Sequence, residues 1–378
     1  MKLLINLIEF RHGANYGFEE YVTNLLNTFV VNRSLIKFEE VIVVVHESQV
    51  SYLNSICKGS LMVVPLRFKS SWQKFLCNEN LERTFNLTRS DVIFYPCNET
   101  TLSKSKVKSI VVVHDLLYAH SNFFDKSLDS ILLRLHRIIF VPRAIRAVNT
   151  VIAISNFTKK EIAKLYGMED KIKVIYNYFH FAKYVEDSNN TIRIEGPYIL
   201  SISAGYVHKR QVIVLQSFIR FLEYHPHYKL VIVGRLYKDA QEYYDQLPDK
   251  YRSKILLYCR LSNMQLASLY KKASAYVSAS LYEGLGMPVV EAMYFGLPVI
   301  LSDTLIHREV SFNEGVYCKC DDVADFCNGL EISICNRSSV PDVKERIRSR
   351  YSEENTAFRY IREFNSLYER DESLDSKS

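Results

Sequence analysis

The sequence predicts an α/β protein made of two doubly wound parallel-sheet domains that face each other across a cleft. Short apolar, β-branched runs alternate with longer amphipathic segments along the 378 residues, which is the rhythm of repeated strand–helix units. Runs such as VIVVV are apolar throughout, as expected for strands that are covered on both faces. The chain is also long enough for two domains rather than one.

The N-terminal domain is predicted to cover residues 1–185. After the first strand, a turn containing Gly13 and Gly17 leads into a helix. The expected strands are the apolar runs Lys2–Leu7, Glu40–His46, Val63–Pro65, Asp91–Tyr95, Ser109–His114, Thr150–Ile154 and Lys173–Ile175. A polar linker over residues 186–197 should follow this domain.

His114 and Asp115 stand at the end of one predicted buried strand. Ligands of open α/β sheets bind at the carboxyl ends of the strands, so this pair is a candidate for chemistry. The alternative is a His–Asp pair that only ties down a loop.

Residues 127–148 are predicted to form a basic amphipathic helix. Apolar residues recur at helical spacing, and Arg134, Arg137, Arg143 and Arg146 occupy other faces. Such a helix can lie on an anionic bilayer. The alternative is that its apolar face belongs to the core.

The charge is unevenly distributed. Residues 1–185 carry 24 Lys and Arg against 16 Asp and Glu, a net charge of +8, whereas the remainder carries 24 against 26, a net charge of −2. A basic first half favours an anionic partner, such as a membrane or a phosphorylated acceptor. Solubility alone is the other explanation, and no motif indicates nucleic-acid binding.

Composition excludes several classes of protein. With 48% hydrophobic and 24% charged residues, the chain has the make-up of a globular protein. It has no run near the roughly 18 apolar residues of a membrane span, and its start lacks the pattern of a signal peptide. None of the eight cysteines forms a CxxC pair, so we expect reduced thiols and no metal site. We therefore expect a cytoplasmic protein.

The C-terminal domain is predicted over residues 198–352. A terminal helix over 353–370, placed to pack back on the first domain, and a disordered tail over 371–378 should follow. The loop after the first strand carries Lys209 and Arg210. The expected strands are Tyr198–Ser203, Lys229–Gly234, Lys254–Tyr258, Ala275–Ala279 and Val299–Leu301.

The most informative stretch is Ala273–Asp303, which reads as strand, Gly-rich loop, helix and strand. Its loop, with Gly284 and Gly286, would present backbone N–H groups at the positive end of a helix, which suits a phosphate or diphosphate. Glu283 and Glu291 can face the same crevice, because one lies in the loop and the other about one turn into the helix. Carboxylates accept paired hydrogen bonds from vicinal hydroxyls, which indicates a ribose or a hexose. A purely structural βαβ unit is the alternative.

The segment SLYEGLGMPVVEAMYFGLPVILSD resembles the Glu-x7-Glu signature of the family 4 retaining glycosyltransferases. The segments VVHDLLY, VIAISNFTKKEI, VHKRQ and LVIVG support the resemblance, which extends over residues 2–303. It implies the GT-B fold, with two Rossmann-like domains. Within the family the chain is most similar to bacterial mannosyltransferases of lipopolysaccharide O-antigen synthesis.

The resemblance also implies roles for the residues of the signature. Glu291 would hold the ribose hydroxyls of a nucleotide sugar, and Glu283 would contact the donor sugar. The sugar hydroxyls and the diphosphate would meet the backbone amides of Gly284, Leu285, Gly286 and Met287.

Four further residues take roles from the same resemblance. Lys209 and Arg210 would neutralise the departing diphosphate, although the family usually shows this pair as Arg-Lys. Gly17 would let the backbone of the first domain approach the diphosphate, and His114 would lie beside the transferred sugar. The candidate catalytic residues are thus His114, Lys209, Arg210 and Glu283. No DxD-like pair of carboxylates is present, so no metal and no other cofactor are expected.

The predicted reaction is transfer of mannose from GDP-mannose to a lipid-diphosphate-linked oligosaccharide at the inner face of the inner membrane. The predicted partners are the nucleotide sugar, this lipid-linked glycan and an anionic membrane surface. One alternative is a UDP-sugar-dependent enzyme that transfers GlcNAc, glucose or galactose. Others are another GT-B enzyme, such as a nucleotide-sugar 2-epimerase or a phosphorylase, and a non-catalytic nucleotide-sugar-binding scaffold.

Overall fold

The computed structural model describes residues 1–13, 16–98, 101, 106–123, 128–179, 191–335 and 341–375. The chain divides into two compact units. Unit 1 comprises Met1–His120, Lys126–Tyr178 and Tyr351–Ser378, and unit 2 comprises Ser121–Asp125 and Phe179–Arg350. Part of the predicted linker, residues 186–190, and the last three residues of the predicted tail lie outside the described residues.

The described part of unit 1 contains a seven-stranded sheet in which all neighbouring strands are parallel. Its strands are β1 (Lys2–Leu7), β2 (Glu40–His46), β3 (Met62–Leu66), β4 (Val92–Tyr95), β5 (Lys108–Val113), β6 (Thr150–Ala153) and β7 (Ile172–Val174). Their order in the sheet is β3-β2-β1-β4-β5-β6-β7. The central strands are almost wholly buried, which is why their sequences are apolar without alternation.

Helices connect these strands. They are α1 (Tyr16–Val31), α2 (Val50–Cys57), α3 (Ser71–Glu79), α4 (Leu81–Thr84), α5 (Leu128–Ala147) and α6 (Asn156–Tyr166). Ser155 caps α6 by accepting a hydrogen bond from the backbone N–H of Thr158, as its position before the helix predicted.

The described part of unit 2 contains a six-stranded sheet, also parallel throughout. Its strands are β8 (Tyr198–Ile202), β9 (Lys229–Val233), β10 (Ile255–Tyr258), β11 (Ala275–Ser278), β12 (Val299–Ser302) and β13 (Val316–Cys318). Their order is β10-β9-β8-β11-β12-β13. The predicted fold class, two doubly wound parallel-sheet domains, is confirmed.

The helices of unit 2 surround this sheet. They are α7 (Gln211–Phe221), α8 (Lys238–Asp245), α9 (Asp249–Arg252), α10 (Asn263–Lys272), α11 (Met287–Tyr294), α12 (Leu305–Val310), α13 (Val323–Cys335) and α14 (Lys344–Tyr351). Ser262 and Gln265 form a capping box at the start of α10, which fixes where this helix begins.

The last helix, α15 (Glu353–Asp375), belongs to unit 1. Its Tyr360 and Phe364 pack edge-on against Phe29 and Phe94. The helix continues to Asp375, whereas the sequence predicted that it would end at residue 370 and that a disordered tail would follow. No Pro or Gly follows residue 370 to stop the helix.

Each sheet reverses its strand order at one point. In unit 2 this switch point lies between β8 and β11, which are adjacent in the sheet although they are distant in sequence. The loops that leave the carboxyl ends of two such strands depart to opposite sides and open a crevice, where ligands bind. In this protein those two loops carry Lys209 and Glu283.

Gly234 shapes the neighbourhood of the loop after β8. It follows β9 with φ at 123°, and a Cβ atom built on it would lie 1.9 Å from the carbonyl oxygen of Ser203. Only glycine can occupy this position without moving the backbone. The loop after β9 therefore packs directly on the start of the loop that presents Lys209 and Arg210.

Candidate functional site

The loop after β8 ends in a single 3-10 turn, Val207–Lys209, and Arg210 follows it as the N-cap of α7. The backbone of Arg210 is left-handed, with φ at 47°. This conformation is unfavourable for a residue with a Cβ. The loop thus holds two successive basic residues at the carboxyl edge of the sheet.

The loop after β11 has the helix-start geometry that the sequence predicted. Gly286 is the N-cap of α11 with φ at 82°, and Pro288 lies in the first turn. A Cβ on Gly286 would lie 3.6 Å from Cγ of Glu283, so the loop folds closely against the stem of this glutamate. At the other end Gly296 has φ at 74°, and the backbone N–H of Leu297 donates to the carbonyl of Ala292, which is the hydrogen bond of a Schellman motif.

Lys209 and Glu283 meet across the crevice. Nζ of Lys209 donates to Oε1 of Glu283 at 2.5 Å, and fewer than one fifth of either side chain is exposed. Burial by itself would raise the pKa of Glu283, but the ammonium of Lys209 outweighs burial and holds the pKa below its usual value. Glu283 is therefore a carboxylate at neutral pH. Its second oxygen receives no hydrogen bond from the residues that the structure describes.

Arg210 is oriented by a different acid. Its Nε donates to Oδ1 of Asp321 at 2.5 Å, and Asp321 lies in the loop after β13. The two terminal nitrogens of the guanidinium have no partner within the described part of the chain. They are thus available to a phosphate, which a guanidinium binds in a fork. The sequence did not reveal Asp321, because its strand, β13, was not predicted.

Glu291 lies one turn into α11 and is held by Tyr270. The Tyr270 hydroxyl donates to Oε2 of Glu291 at 2.6 Å, and its buried ring stacks on Phe295 with the centroids 5.5 Å apart. Burial, together with the negative charges of Glu283 and Glu291, raises the pKa of the nearby Tyr276. Tyr276 therefore stays protonated. Neither tyrosine was predicted as part of the site.

The helix start of α11 offers unused donors. The backbone N–H groups of Leu285, Gly286 and Met287 form no hydrogen bond with any described residue. They lie at the positive end of the helix dipole, where an anion or a polarised hydroxyl is stabilised. Unit 2 thus brings together Lys209, Glu283 and these amides.

His307 is a buried group near this site that the sequence did not indicate. It lies in α12, and its Nδ1 lies 2.9 Å from the carbonyl oxygen of Ser302. A carbonyl oxygen only accepts, so Nδ1 carries the hydrogen and Nε2 carries the lone pair. Nε2 has no hydrogen-bond partner among the described residues. Burial lowers the pKa of His307, and the charge of Lys209 acts in the same direction, so the ring is neutral.

We expect His307 to make the protein less stable in mild acid. The unfolded chain protonates histidine near pH 6.5, whereas the folded state resists protonation, so stability falls as the pH drops below about 6.5, by up to about 1.4 kcal/mol per pH unit. In His307→Asn the amide can still donate to Ser302 but does not titrate. The free energy of unfolding, measured in urea at a series of pH values, should therefore decrease less steeply with falling pH for the variant than for the wild type. Equal slopes would contradict the assignment.

In unit 1, His114 follows β5 and is likewise neutral. Its Nε2 lies 2.8 Å from the carbonyl oxygen of Pro96 and therefore carries the hydrogen, which leaves the lone pair on Nδ1. Burial lowers the pKa of His114, and the ring of Tyr21 packs edge-on against it at 4.6 Å. Asp115 is not hydrogen-bonded to His114 in the described structure. Its Oδ1 accepts from the backbone N–H of Leu117, so Asp115 is the member of the pair that ties down the loop.

Gly17 does not lie in the predicted turn. Gly13, with φ at 79°, is in the turn, whereas Gly17 is the second residue of α1 and is exposed. A glycine there keeps the helix start uncovered, so the backbone remains approachable. Gly17 and His114 belong to unit 1, and the other predicted site residues belong to unit 2.

Two further observations concern the described residues only. The described residues include no group of three or more His, Cys, Asp or Glu side chains placed to hold a metal ion. None of the helices they form has the length and apolar character needed to cross a bilayer.

Two families of known proteins match the chain. Residues 33–180 match the family described as Glycosyltransferase Family 4, and residues 185–350 match the family described as Glycosyl transferases group 1. The chain is 28% identical over 244 residues to the O-antigen chain mannosyltransferase RfbU of Salmonella typhimurium. That match covers 63% of this chain and 63% of RfbU, which is less than two thirds of the relative's length.

Solved structures of low sequence identity share the fold. Sucrose-phosphate synthase from Thermosynechococcus elongatus superposes with a TM-score of 0.69 at 12% identity, covering 97% of this chain and 99% of that chain. HepE from Anabaena, in complex with UDP and glucose, superposes with a TM-score of 0.65 at 14% identity, covering 97% of this chain and 100% of that chain. At these identities the likeness shows the fold, which is GT-B.

Proposed function

Since the chain belongs to the GT-B glycosyltransferases, with a family 4 domain followed by a group 1 domain, we propose that it transfers a hexose from a nucleotide sugar. The acceptor in this proposal is a lipid-diphosphate-linked oligosaccharide, and the anomeric configuration of the sugar is retained. The observation that carries this proposal is the Lys209–Glu283 pair beside the unused amides of Leu285–Met287. A sugar diphosphate carries negative charge and hydroxyls, and a set made of a cation, a carboxylate and amide donors is suited to bind both. The proposed donor is GDP-mannose, in keeping with the similarity to RfbU.

The donor is divided among these groups. The open nitrogens of Arg210 and the α11 amides take the diphosphate, because both favour anions. Glu291 accepts hydrogen bonds from the ribose hydroxyls. Glu283 uses its second oxygen to accept from a hydroxyl of the sugar, while Lys209 keeps the carboxylate oriented.

The chemical step breaks the bond between the anomeric carbon and the diphosphate oxygen, and the electron pair of that bond stays on the leaving phosphate. A new bond forms between the anomeric carbon and the acceptor hydroxyl oxygen, and the proton of that hydroxyl passes to the leaving phosphate oxygen. Lys209 and Arg210 are already fixed by Glu283 and Asp321, so they need little reorganisation to stabilise the charge that develops. Preorganised charges of this kind are worth more than mobile ones. We propose that these two cations supply the stabilisation that a metal ion supplies in other transferases.

The acceptor is assigned to unit 1. The neutral His114 carries a lone pair on Nδ1, which in this proposal accepts a hydrogen bond from a hydroxyl of the transferred sugar. Residues 1–185 carry a net charge of +8, which suits a diphosphate-linked lipid at an anionic surface. We place the reaction at the cytoplasmic face of the inner membrane.

The experiment that tests the proposal combines binding and turnover. Calorimetry with GDP and UDP identifies the base, and radiolabelled GDP-mannose, UDP-glucose, UDP-galactose and UDP-GlcNAc are then supplied with bacterial lipid extracts. We expect GDP to bind and labelled mannose to enter the lipid fraction. UDP binding with transfer from a UDP-sugar would replace the donor assignment. Release of free epimerised sugar without an acceptor, or nucleotide binding without turnover on any donor, would overturn the proposed function.

A further inference from the structure

Helix α5 of unit 1 exposes a row of large aliphatic side chains. Ile131, Leu132, Leu135, Ile138 and Ile139 are between 40% and 54% exposed, and Leu133, on the other side of the helix, is 47% exposed. Their spacing of three, four, seven and eight residues places them on one face, which we call the aliphatic face. The face extends about 12 Å along the helix, at 1.5 Å per residue. Scattered exposed aliphatic residues are normal on a protein surface, but a contiguous row marks a contact site.

The C-terminal half of α5 packs on unit 1. Val141, Ala144 and Ile145 are buried, and helical spacing places Arg134 and Arg137 on their side of the helix. Nε of Arg134 donates to the carbonyl oxygen of Tyr118 at 3.0 Å. The apolar residues of the C-terminal half of α5 therefore belong to the core, whereas the aliphatic row before Pro142 is exposed.

The other two arginines continue the aliphatic face toward the C-terminus of the helix. Arg143 and Arg146 follow Ile139 by four and seven residues, and both are exposed. Arg143 donates to the carbonyl of Ile139, and Arg146 lies over the ring of Tyr166. No acidic side chain in the described part of the chain forms an ion pair with either of them. Their charge therefore remains uncompensated beside the aliphatic row.

We propose that the aliphatic face of α5, with Arg143 and Arg146, docks unit 1 on an anionic lipid bilayer. A helix lying in the interface inserts its aliphatic residues among the acyl chains, while arginines at the edge of the apolar row reach the phosphates. Charge complementarity favours an anionic bilayer over other partners. The aliphatic face adjoins two uncompensated arginines, and both lie in the half of the chain that has a net charge of +8. A purely apolar partner would leave those cations unused.

This inference rests on the proposed function, since a lipid-linked acceptor lies in such a bilayer. It deepens that function by naming the surface that finds the bilayer. Glycosyl transfer and docking can nevertheless fail separately. A protein that transfers sugar to a detergent-solubilised acceptor but ignores vesicles would overturn the docking surface alone. A protein that binds vesicles but has no transferase activity would overturn the proposed function alone.

The test is flotation of the full-length chain with vesicles of phosphatidylglycerol and phosphatidylethanolamine in equal parts, compared with phosphatidylcholine vesicles. We expect binding to the anionic vesicles only, weakening as salt is added. The double variant Leu132→Glu with Leu135→Glu should bind the anionic vesicles at least about tenfold more weakly than the wild type, because two carboxylates replace inserted side chains. Arg143→Gln with Arg146→Gln should lose roughly tenfold as well, and its binding should depend less on salt.

The matched control is Ile332→Glu. Ile332 lies on α13 of unit 2 and is 40% exposed, as Ile138 is, so the variant carries the same kind of change on a surface outside the proposal. It should bind vesicles like the wild type. Unchanged vesicle binding by both α5 variants would overturn the docking surface. A second result would also overturn it. If sedimentation without lipid showed that the wild type is a dimer and that the Leu132→Glu, Leu135→Glu variant is a monomer, the aliphatic face would join two copies of the chain.

Discussion

Replacing Glu283 with glutamine is expected to slow sugar transfer by about two to three orders of magnitude, comparable to the loss of one preorganised electrostatic contact in other enzymes. The amide keeps the size of the side chain but removes the charge that fixes Lys209 and that, in the proposed function, polarises the sugar hydroxyl. Nucleotide affinity should change much less, because the base and ribose do not depend on this residue. Single-turnover rates at saturating donor, with calorimetry of the nucleotide, separate the two effects.

The control for this variant is Glu314→Gln. Glu314 also belongs to unit 2 and pairs with a basic residue, Arg346, at 3.1 Å, but it is outside the two loops of the candidate site. The control should transfer sugar at nearly the wild-type rate. If Glu283→Gln transferred sugar at a rate within a fewfold of the wild-type rate, Glu283 would have no role in the chemical step.

Replacing Glu291 with alanine is expected to weaken nucleotide binding by about a hundredfold, since hydrogen bonds to a charged group contribute about 1.5–3 kcal/mol each. The loss should require the ribose hydroxyls. A dideoxy nucleoside diphosphate should therefore bind the wild type and Glu291→Ala with similar, weak affinity. Calorimetry with both ligands and both proteins gives the coupling directly.

Tyr270→Phe is the control for Glu291. It retains the carboxylate and removes only the hydroxyl that donates to it at 2.6 Å. Its nucleotide affinity should fall a fewfold, because Glu291 is then less well oriented but still present. If Glu291→Ala weakened the binding of the dideoxy nucleotide as much as the binding of the natural one, Glu291 would not bind the ribose.

Much of the fold could be predicted because the strands are buried on both faces. The apolar runs of β1 and β2 match the observed strands residue for residue, and the glycines on either side of α11 marked its ends. Strand β13, which has three residues of which only Cys318 is buried, was missed. Helix α8 was missed because its sequence, KDAQEYYD, is mostly polar and only Ala240 is buried.

The candidate site was predictable where its residues are close in sequence. Glu283, Glu291 and the amides between them lie in a single loop and helix, so their spacing alone brings them together. Tyr270, Asp321 and His307 were not predicted, because the parallel pairing of β11, β12 and β13 brings their segments to the same edge. For helix α5 the period revealed an amphipathic helix but not which face points outward, since that depends on what the rest of unit 1 covers.

The left-handed backbone of Arg210 sets a limit on how this protein can be stabilised. Glycine would adopt φ near 47° without strain, and relief of that strain is worth about 1 kcal/mol. Glycine would also remove the guanidinium from the crevice. With Arg210 binding the diphosphate as proposed, selection for heat tolerance and selection for turnover drive position 210 in opposite directions. An engineered thermostable form should keep Arg210 and also Asp321, whose backbone is left-handed too.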